Sequence, residues 1–412
     1  MISRIKVKNF GPIKEGSLEN DGWIDLKKVT VFIGNQGSGK STIAKLISTM
    51  TWIEKALVRG DFSEKDLTSK SFKKHCSYQN IGDYFKDDTI IEYEGKAFQI
   101  SFKNNLVKIK KYEKNGYSFP KIMYAPSERN FISSVRNVRT LKGLPSTLYT
   151  FSDEFINAIE DLKGHIDLPI NNTKFEYQKL NKLSIIIGDD YKIKLSEASS
   201  GFQSFVPLYI VSNYLANSLE NEENNAIKVI SIEEEKRIRK EIEQILSNPN
   251  ISDEVKQASL EYLSSKFSYS SFINIVEEPE QNLFPNSQNK ILNSLLTFNN
   301  MNLNNKLIIT THSPYIINNL CISIQANYLT EKLMNFSIQK SAISLKRLQT
   351  IVPYKAMVSG SDVVIYELDE TSGILKRLPD YEGIPSDSNY LNQSLAESNE
   401  IFDSLLEIEQ QL

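Results

Sequence analysis

A chain of 412 residues can hold two or three domains, or one large domain with insertions. Its 40% hydrophobic and 24% charged residues are the balance of a water-soluble globular protein. A net charge of −3 gives no global pull toward nucleic acid or an anionic membrane, although a local basic patch stays compatible with it. No run nears the about 20 apolar residues of a membrane helix, which argues against the membrane part of a transporter. Cys76 and Cys321 lie far apart without metal-ligand spacing, and residues 1–6 lack a signal-peptide core. The expected location is therefore the cytoplasm.

Residues 2–10 alternate Ile5, Val7 and Phe10 with Arg4, Lys6 and Lys8, the period of a half-buried strand. Gly11-Pro12 turns it, and a short strand over 16–18 follows. The apolar run 29–33 then leads into Gly34, Asn35, Gln36, Gly37, Ser38, Gly39, Lys40, Ser41 and Thr42, with a helix expected over 41–59. Strand, glycine loop and helix in that order are the context a G-x-x-x-x-G-K-S/T phosphate loop requires. Glycines let successive N–H groups point at one phosphate chain, and the helix adds its positive end. Lys40 supplies a cation for the β/γ-phosphates, and the Ser41 hydroxyl can complete a Mg²⁺ shell.

Residues 88–93, 97–102 and 106–112 have the pattern of an antiparallel meander. The Lys108, Lys110, Lys111 and Lys114 cluster reads first as a solvated face. A buried strand over 122–125 ends in Ser127, Glu128, Arg129 and Asn130, which fit either a ligand contact at a strand end or a structural salt bridge. A helix is expected over 151–166 and a hairpin over 184–195. Ser199, Ser200, Gly201, Phe202 and Gln203 precede an apolar helix over 205–219, with Pro207 in its first turn. Residues 220–267 turn highly charged and read as a helical hairpin broken at Asn248-Pro249-Asn250, too short for a coiled-coil arm. A strand over 272–276 ends in Glu277 and Glu278, a helix spans 286–298, and a strand over 306–310 ends in Thr311 and His312. The pattern weakens after Ile316, until strands over 356–368 and 374–378 form a hairpin and a helix closes the chain over 392–411.

Two carboxylates at a strand end suit a magnesium-nucleotide site. One orders the metal, and the next polarises the attacking water. On an extended strand the two side chains point to opposite faces, so Glu277 is assigned to the metal with Ser41, and Glu278 to the water. His312 ends the next strand, expected beside the first, where a neutral imidazole can meet the γ-phosphate or the water. Ser199, Ser200 and Gly201 open a helix and offer a second anion-binding corner. One chain does not readily bring both corners to one γ-phosphate, whereas two chains arranged head to tail do.

Together these stretches resemble an ABC-type ATPase of the SMC/RecF/OLD branch. Residues 9–13 resemble its opening strand and turn, 34–42 its Walker A loop, and 199–203 its signature loop. Residues 273–285 resemble Walker B with the D-loop, and Thr311-His312-Ser313-Pro314 the switch histidine. Glu277 stands where an Asp is more usual, and Phe202 where the signature has a second glycine; Gln79 is the candidate for the Q-loop. The resemblance implies an α/β fold, an ABC-type P-loop ATPase with a mixed central sheet, an antiparallel β subdomain and a helical insertion. It divides the chain into a phosphate-loop part (1–59), a β and helical lobe (60–195), the signature loop and helix (196–219), an insertion (220–270), the Walker B and switch part (271–330) and a C-terminal hairpin and helix (331–412).

It implies ATP and Mg²⁺ as cofactors, with Ser199, Ser200, Gly201 and Gln203 acting on a partner's nucleotide in a homodimer or higher even oligomer. OLD nucleases continue into a TOPRIM domain with clustered acidic ligands, and no such cluster follows His312. The ending is similar to stand-alone ATPases of the bacterial anti-phage systems Septu, PARIS and the retron-associated type. Such ATPases work beside a separately encoded effector, often a nuclease. Two alternatives stand beside this: a repair or chromosome-maintenance ATPase that binds DNA directly, and a regulator that binds ATP with little turnover.

Overall fold

The computed structural model describes residues 2–113, 117–135, 138–220, 240–244, 247, 269–334 and 338–410. In chain order the elements begin with β1 (Ser3–Phe10), β2 (Gly16–Ser17), β3 (Trp23–Leu26), β4 (Val29–Gly34), α1 (Lys40–Arg59) and α2 (Ser69–Tyr78). Next come β5 (Phe85–Glu94), β6 (Phe98–Lys103), β7 (Leu106–Lys111), β8 (Pro120–Ala125), α3 (Phe131–Ser134) and α4 (Ser146–Asp161). The middle holds β9 (His165–Asp167), β10 (Lys174–Gln178), β11 (Leu183–Ile187), β12 (Lys192–Lys194), α5 (Ser200–Glu220) and β13 (Ser271–Glu277). The chain continues with α6 (Pro285–Asn300), β14 (Lys306–Thr311), α7 (Pro314–Met334), α8 (Ile338–Ile351) and β15 (Val363–Leu368). It ends with β16 (Ile374–Arg377), β17 (Asp380–Tyr381), β18 (Ile384–Pro385) and α9 (Tyr390–Gln410).

Seven strands form the central sheet in the order β2-β16-β15-β4-β14-β13-β8. From β15 to β8 every pairing is parallel, and β16 runs antiparallel to β15. The parallel strands are apolar on both sides because both faces are covered, and their alternation assigns each side chain to a layer. Val29, Val31, Ile33, Leu307, Ile309, Val363 and Ile365 join one core, packed under α4, α5, α6 and α7. Phe32, Ile308, Ile275, Val364 and Tyr366 join the other, packed under α1 and the antiparallel sheet β3-β1-β5-β6-β7. The α/β class with a mixed central sheet and an antiparallel β subdomain is the one the sequence led us to expect.

The structure differs from the sequence reading in four places. The helix expected over 151–166 is α4, which starts behind Pro145 and stops at Asp161. Leu162 is extended and Gly164 takes φ +76°, so Ile166 enters β9 instead. Because α5 starts at Ser200, Pro207 lies inside the helix and not in its first turn. Proline offers no N–H to Gln203 O, and the Ser133 hydroxyl donates to that carbonyl at 2.9 Å in its place. Where the pattern weakened, α7 and α8 form; α7 is apolar around much of its circumference, which blurs the helical period. The strand expected over 356–368 is β15, which begins at Val363 after a short 3₁₀ turn at Gly360–Asp362. The helical hairpin read over 220–267 falls almost wholly outside the described residues.

Candidate functional site

The phosphate loop leaves β4 at Gly34 and enters α1 at Lys40. Gly34, Gly37 and Gly39 take φ of 139°, 76° and 102°, conformations open to glycine at little cost. At Gly39 a Cβ would also lie 2.5 Å from Ile13 Cδ1, so the turn after β1 supports the loop from outside. Within the loop, Ser38 N–H donates to Asn35 O at 3.3 Å and Gln36 N–H to Asn35 Oδ1 at 2.8 Å. The buried Lys40 ammonium donates to Gly34 O at 2.9 Å and to Asn35 O at 2.7 Å. Burial pushes its pKa down to about 8, against the pull of Glu278, Glu280, Glu370 and Glu277. Ser41 and Thr42 occupy the first turn of a twenty-residue helix whose positive end faces the loop.

The strand order brings the other candidates alongside. β14 lies between β4 and β13, so the strands that end in His312 and in the carboxylates are direct neighbours. Glu277 is buried; its Oε2 accepts from Ser127 N–H at 3.2 Å, and its Oε1 takes no hydrogen bond. Glu278 is no longer extended. It has φ 45°, and its N–H donates to Thr310 O at 2.8 Å. Simple strand alternation therefore does not separate the two carboxylates; the turn into the left-handed region does, and it sends Glu278 toward the open end. The Glu278 Oε1 lies 3.6 Å from His312 Nε2, a side-chain neighbour beyond hydrogen-bond length. Burial raises the Glu278 carboxyl and the Glu277 charge adds to it, while burial and then Lys40 hold the His312 imidazole below its ordinary value. The imidazole is thereby kept neutral at physiological pH.

Two residues absent from the expected site set organise these strand ends. Glu280 accepts through Oε1 from both the Thr311 hydroxyl and His312 N–H, each at 2.8 Å. Arg129 is fully buried and donates to Pro126 O, Ser204 O, Glu277 O and Glu278 O. The sequence left residues 127–130 open between ligand contact and salt bridge. In the structure the guanidinium serves backbone carbonyls instead. Its only sequence signal was a polar cluster at a buried strand end. The Q-loop candidate Gln79 lies elsewhere, at the end of α2, with its Nε2 3.0 Å from Ser48 Oγ.

Ser199 precedes α5, Ser200 is its first residue, and both are exposed. Gln203 folds back, its Nε2 donating to Ser196 O at 3.1 Å and Ala198 O at 3.0 Å. The apolar face of α5 packs on the sheet face opposite α1, beside β13. From β4 to β13 is two strand spacings, about 10 Å. The corner of Ser199, Ser200 and Gly201 lies on that face beside the turn after β13, where a Cβ on Gly201 would meet Asn282 O, while Lys40, Glu278 and His312 gather just past the C-terminal ends of β4, β13 and β14.

Among the described residues no group of three or more His, Cys, Asp or Glu side chains is set to hold a metal. Ser41 and Glu277 nonetheless suit magnesium completed by phosphate oxygens and water, because Glu277 presents a buried carboxylate oxygen without a partner. No described helix is long and apolar enough to cross a membrane.

A family model described as an AAA ATPase domain matches residues 1–138 and 255–317, which take in the phosphate loop, Arg129, Glu277, Glu278, Glu280 and His312. No curated protein matches the chain. Among solved structures, the SMC head domain from Thermotoga maritima is 12% identical at a TM-score of 0.36, covering 92% of this chain and 99% of that one. An SMC head bound to the C-terminal winged-helix domain of ScpA is 10% identical at 0.37, covering 92% and 97%. A nucleotide-free ATP-binding cassette of an ABC transporter is 12% identical at 0.29, covering 93% of each chain.

Proposed function

We propose that this chain is an ATP-hydrolysing switch subunit that pairs with a second copy around nucleotide and controls a separately encoded effector. The observation that carries the ATPase reading is the convergence of Lys40, Glu278 and His312 at the ends of adjacent parallel strands. The AAA ATPase domain match over those residues supports it.

In this reading the loop N–H groups and the α1 terminus bind the β- and γ-phosphates of ATP. Lys40 exchanges its two loop carbonyls for phosphate oxygens and recovers its full charge on doing so. Magnesium, held by Ser41 and Glu277, would neutralise charge on the same oxygens. Glu278, raised by burial, orients the attacking water and accepts its proton. His312, fixed through its backbone by Glu280, presents a neutral imidazole beside that water. Ser199, Ser200 and Gly201 engage the γ-phosphate held by a second copy, which makes nucleotide the link between subunits.

The effector role, with a nuclease as the favoured partner and anti-phage defence as the setting, rests on resemblance to the stand-alone ATPases of such systems. The test has two parts. Light scattering of Glu278→Gln with Mg²⁺-ATP should show pairs that revert on nucleotide removal; particles of constant mass in all conditions would defeat the pairing. Phage plating on cells carrying the chain with its neighbouring gene should drop relative to Lys40→Ala; equal plating would defeat the defence role.

A further inference from the structure

We propose that Arg129 is a positioning residue that ties the first turns of α5 to the Glu278 backbone, so that engagement of the Ser200 corner by a partner's nucleotide reaches the hydrolytic carboxylate. The inference rests on the ATPase reading above and adds to it the route between subunits.

Arg129 reaches three segments at once. Its Nη2 donates to Glu278 O at 2.6 Å, and its Nη1 to Glu277 O at 2.6 Å and Pro126 O at 3.1 Å. Its Nε donates to Ser204 O at 3.2 Å, inside the second turn of α5. A planar fork with several donors can span carbonyls on separate segments, which the point charge of a lysine cannot. Glu278 needs such support. A non-glycine residue in the left-handed region persists only where its surroundings over-determine it. Here its N–H is held by Thr310 O, and its carbonyl accepts from both Arg129 and Gln281 N–H.

A second link runs beside the first. Asn282 Nδ2 donates to Ser204 Oγ at 3.1 Å, and Asn282 O would lie 2.9 Å from a Cβ on Gly201. Asn282 is itself at φ 58°. The turn from Glu278 to Asn282 and the first turns of α5 therefore abut with no slack. A side chain larger than hydrogen at Gly201 would push on the turn directly. Displacement of α5 toward or away from a partner therefore reaches the Glu278–Asn282 turn through Arg129 and through the contacts of Asn282 with Ser204 and Gly201.

The test is single-turnover hydrolysis by the full chain at saturating Mg²⁺-ATP, with ATP affinity measured separately. Arg129→Lys should slow hydrolysis by about 10- to 100-fold while the Kd for ATP stays within about threefold, because the phosphate loop does not contact Arg129. The double variant Arg129→Lys/Glu278→Gln should be no slower than Glu278→Gln alone, since Arg129 acts through that carboxylate. Asn282→Ala, a milder cut in the same link, should give a smaller loss with the same non-additivity, and it decides the matter if Arg129→Lys does not fold. Wild-type rates in the folded single variants would overturn the proposal. So would a double variant slowed by the product of the two single losses, or a loss of rate matched by a loss of ATP affinity. Wild-type turnover by Glu278→Gln would instead remove the base assignment, a different failure seen in a different variant.

Discussion

Glu278→Gln separates nucleotide binding from chemistry. The substitution keeps the backbone contacts that hold the residue, since Thr310 O and Arg129 touch only its peptide groups. It removes one negative charge from an edge where Glu277, Glu278, Glu280 and Glu370 all act on Lys40. It also neutralises a carboxyl that burial already disfavours as an anion, so the fold is not weakened by the change. ATP affinity should thus be kept or improved. Without the base, hydrolysis should fall by at least about 100-fold, which is about 2.7 kcal/mol of barrier at 1.36 kcal/mol per decade. Phosphate release measured beside fluorescence titration of ATP reads both quantities on one sample. A rate within about tenfold of wild type, or a Glu277→Gln variant that stops turnover while Glu278→Gln does not, would refute the division of roles between the two carboxylates.

Lys40→Ala should abolish ATP binding or turnover, because no other cation in the described structure closes the phosphate loop; unchanged calorimetric affinity and rate would remove the loop assignment. Ser200→Arg should bind ATP as a lone subunit yet neither pair nor hydrolyse, and mixing it with Lys40→Ala should restore up to one working site per pair. No return of activity in demonstrably mixed pairs would count against the sandwich, as would full activity of a monomer. Lys121→Met should cost about 3–5 kcal/mol in chemical denaturation, because it strands Glu154 from a buried 2.7 Å ion pair; a cost below about 1 kcal/mol would show that the pair is not sealed from water.

Much of the site was legible because its signals are local. The glycine loop between an apolar strand and a helix, the carboxylates closing an apolar run and the histidine closing the next one are patterns of a few residues each. The neighbouring of the Glu278 and His312 strands also followed from a single intervening helix. Other features were illegible for reasons that can be named. Arg129 bonds main-chain carbonyls, and a carbonyl is the same in every residue, so nothing in the composition around 277, 278 or 204 announces the partner. Glu278 takes a conformation that an L-residue avoids by itself, and an extended-strand reading assigns it the wrong geometry. The helix α7 lacks a clean polar face, so periodicity did not reveal it.

The sequence by itself determined which short segments have the form of phosphate- and metal-binding stretches, because backbone freedom at glycine, strand alternation and helix capping act over a few residues. Tertiary structure decided how those segments face one another. β15, from the far end of the chain, pairs with β4 from Val363 opposite Val29 to Leu368 opposite Gly34, and Asn35 Nδ2 donates to Glu370 Oε1 at 2.9 Å. That pairing sets the C-terminal hairpin against the phosphate loop. Likewise, only the closing of the two cores over opposite sheet faces puts α1 and α5 on different sides. Both outcomes depend on contacts between residues hundreds of positions apart, whose free energy comes from burying whole faces of the sheet and not from any local propensity.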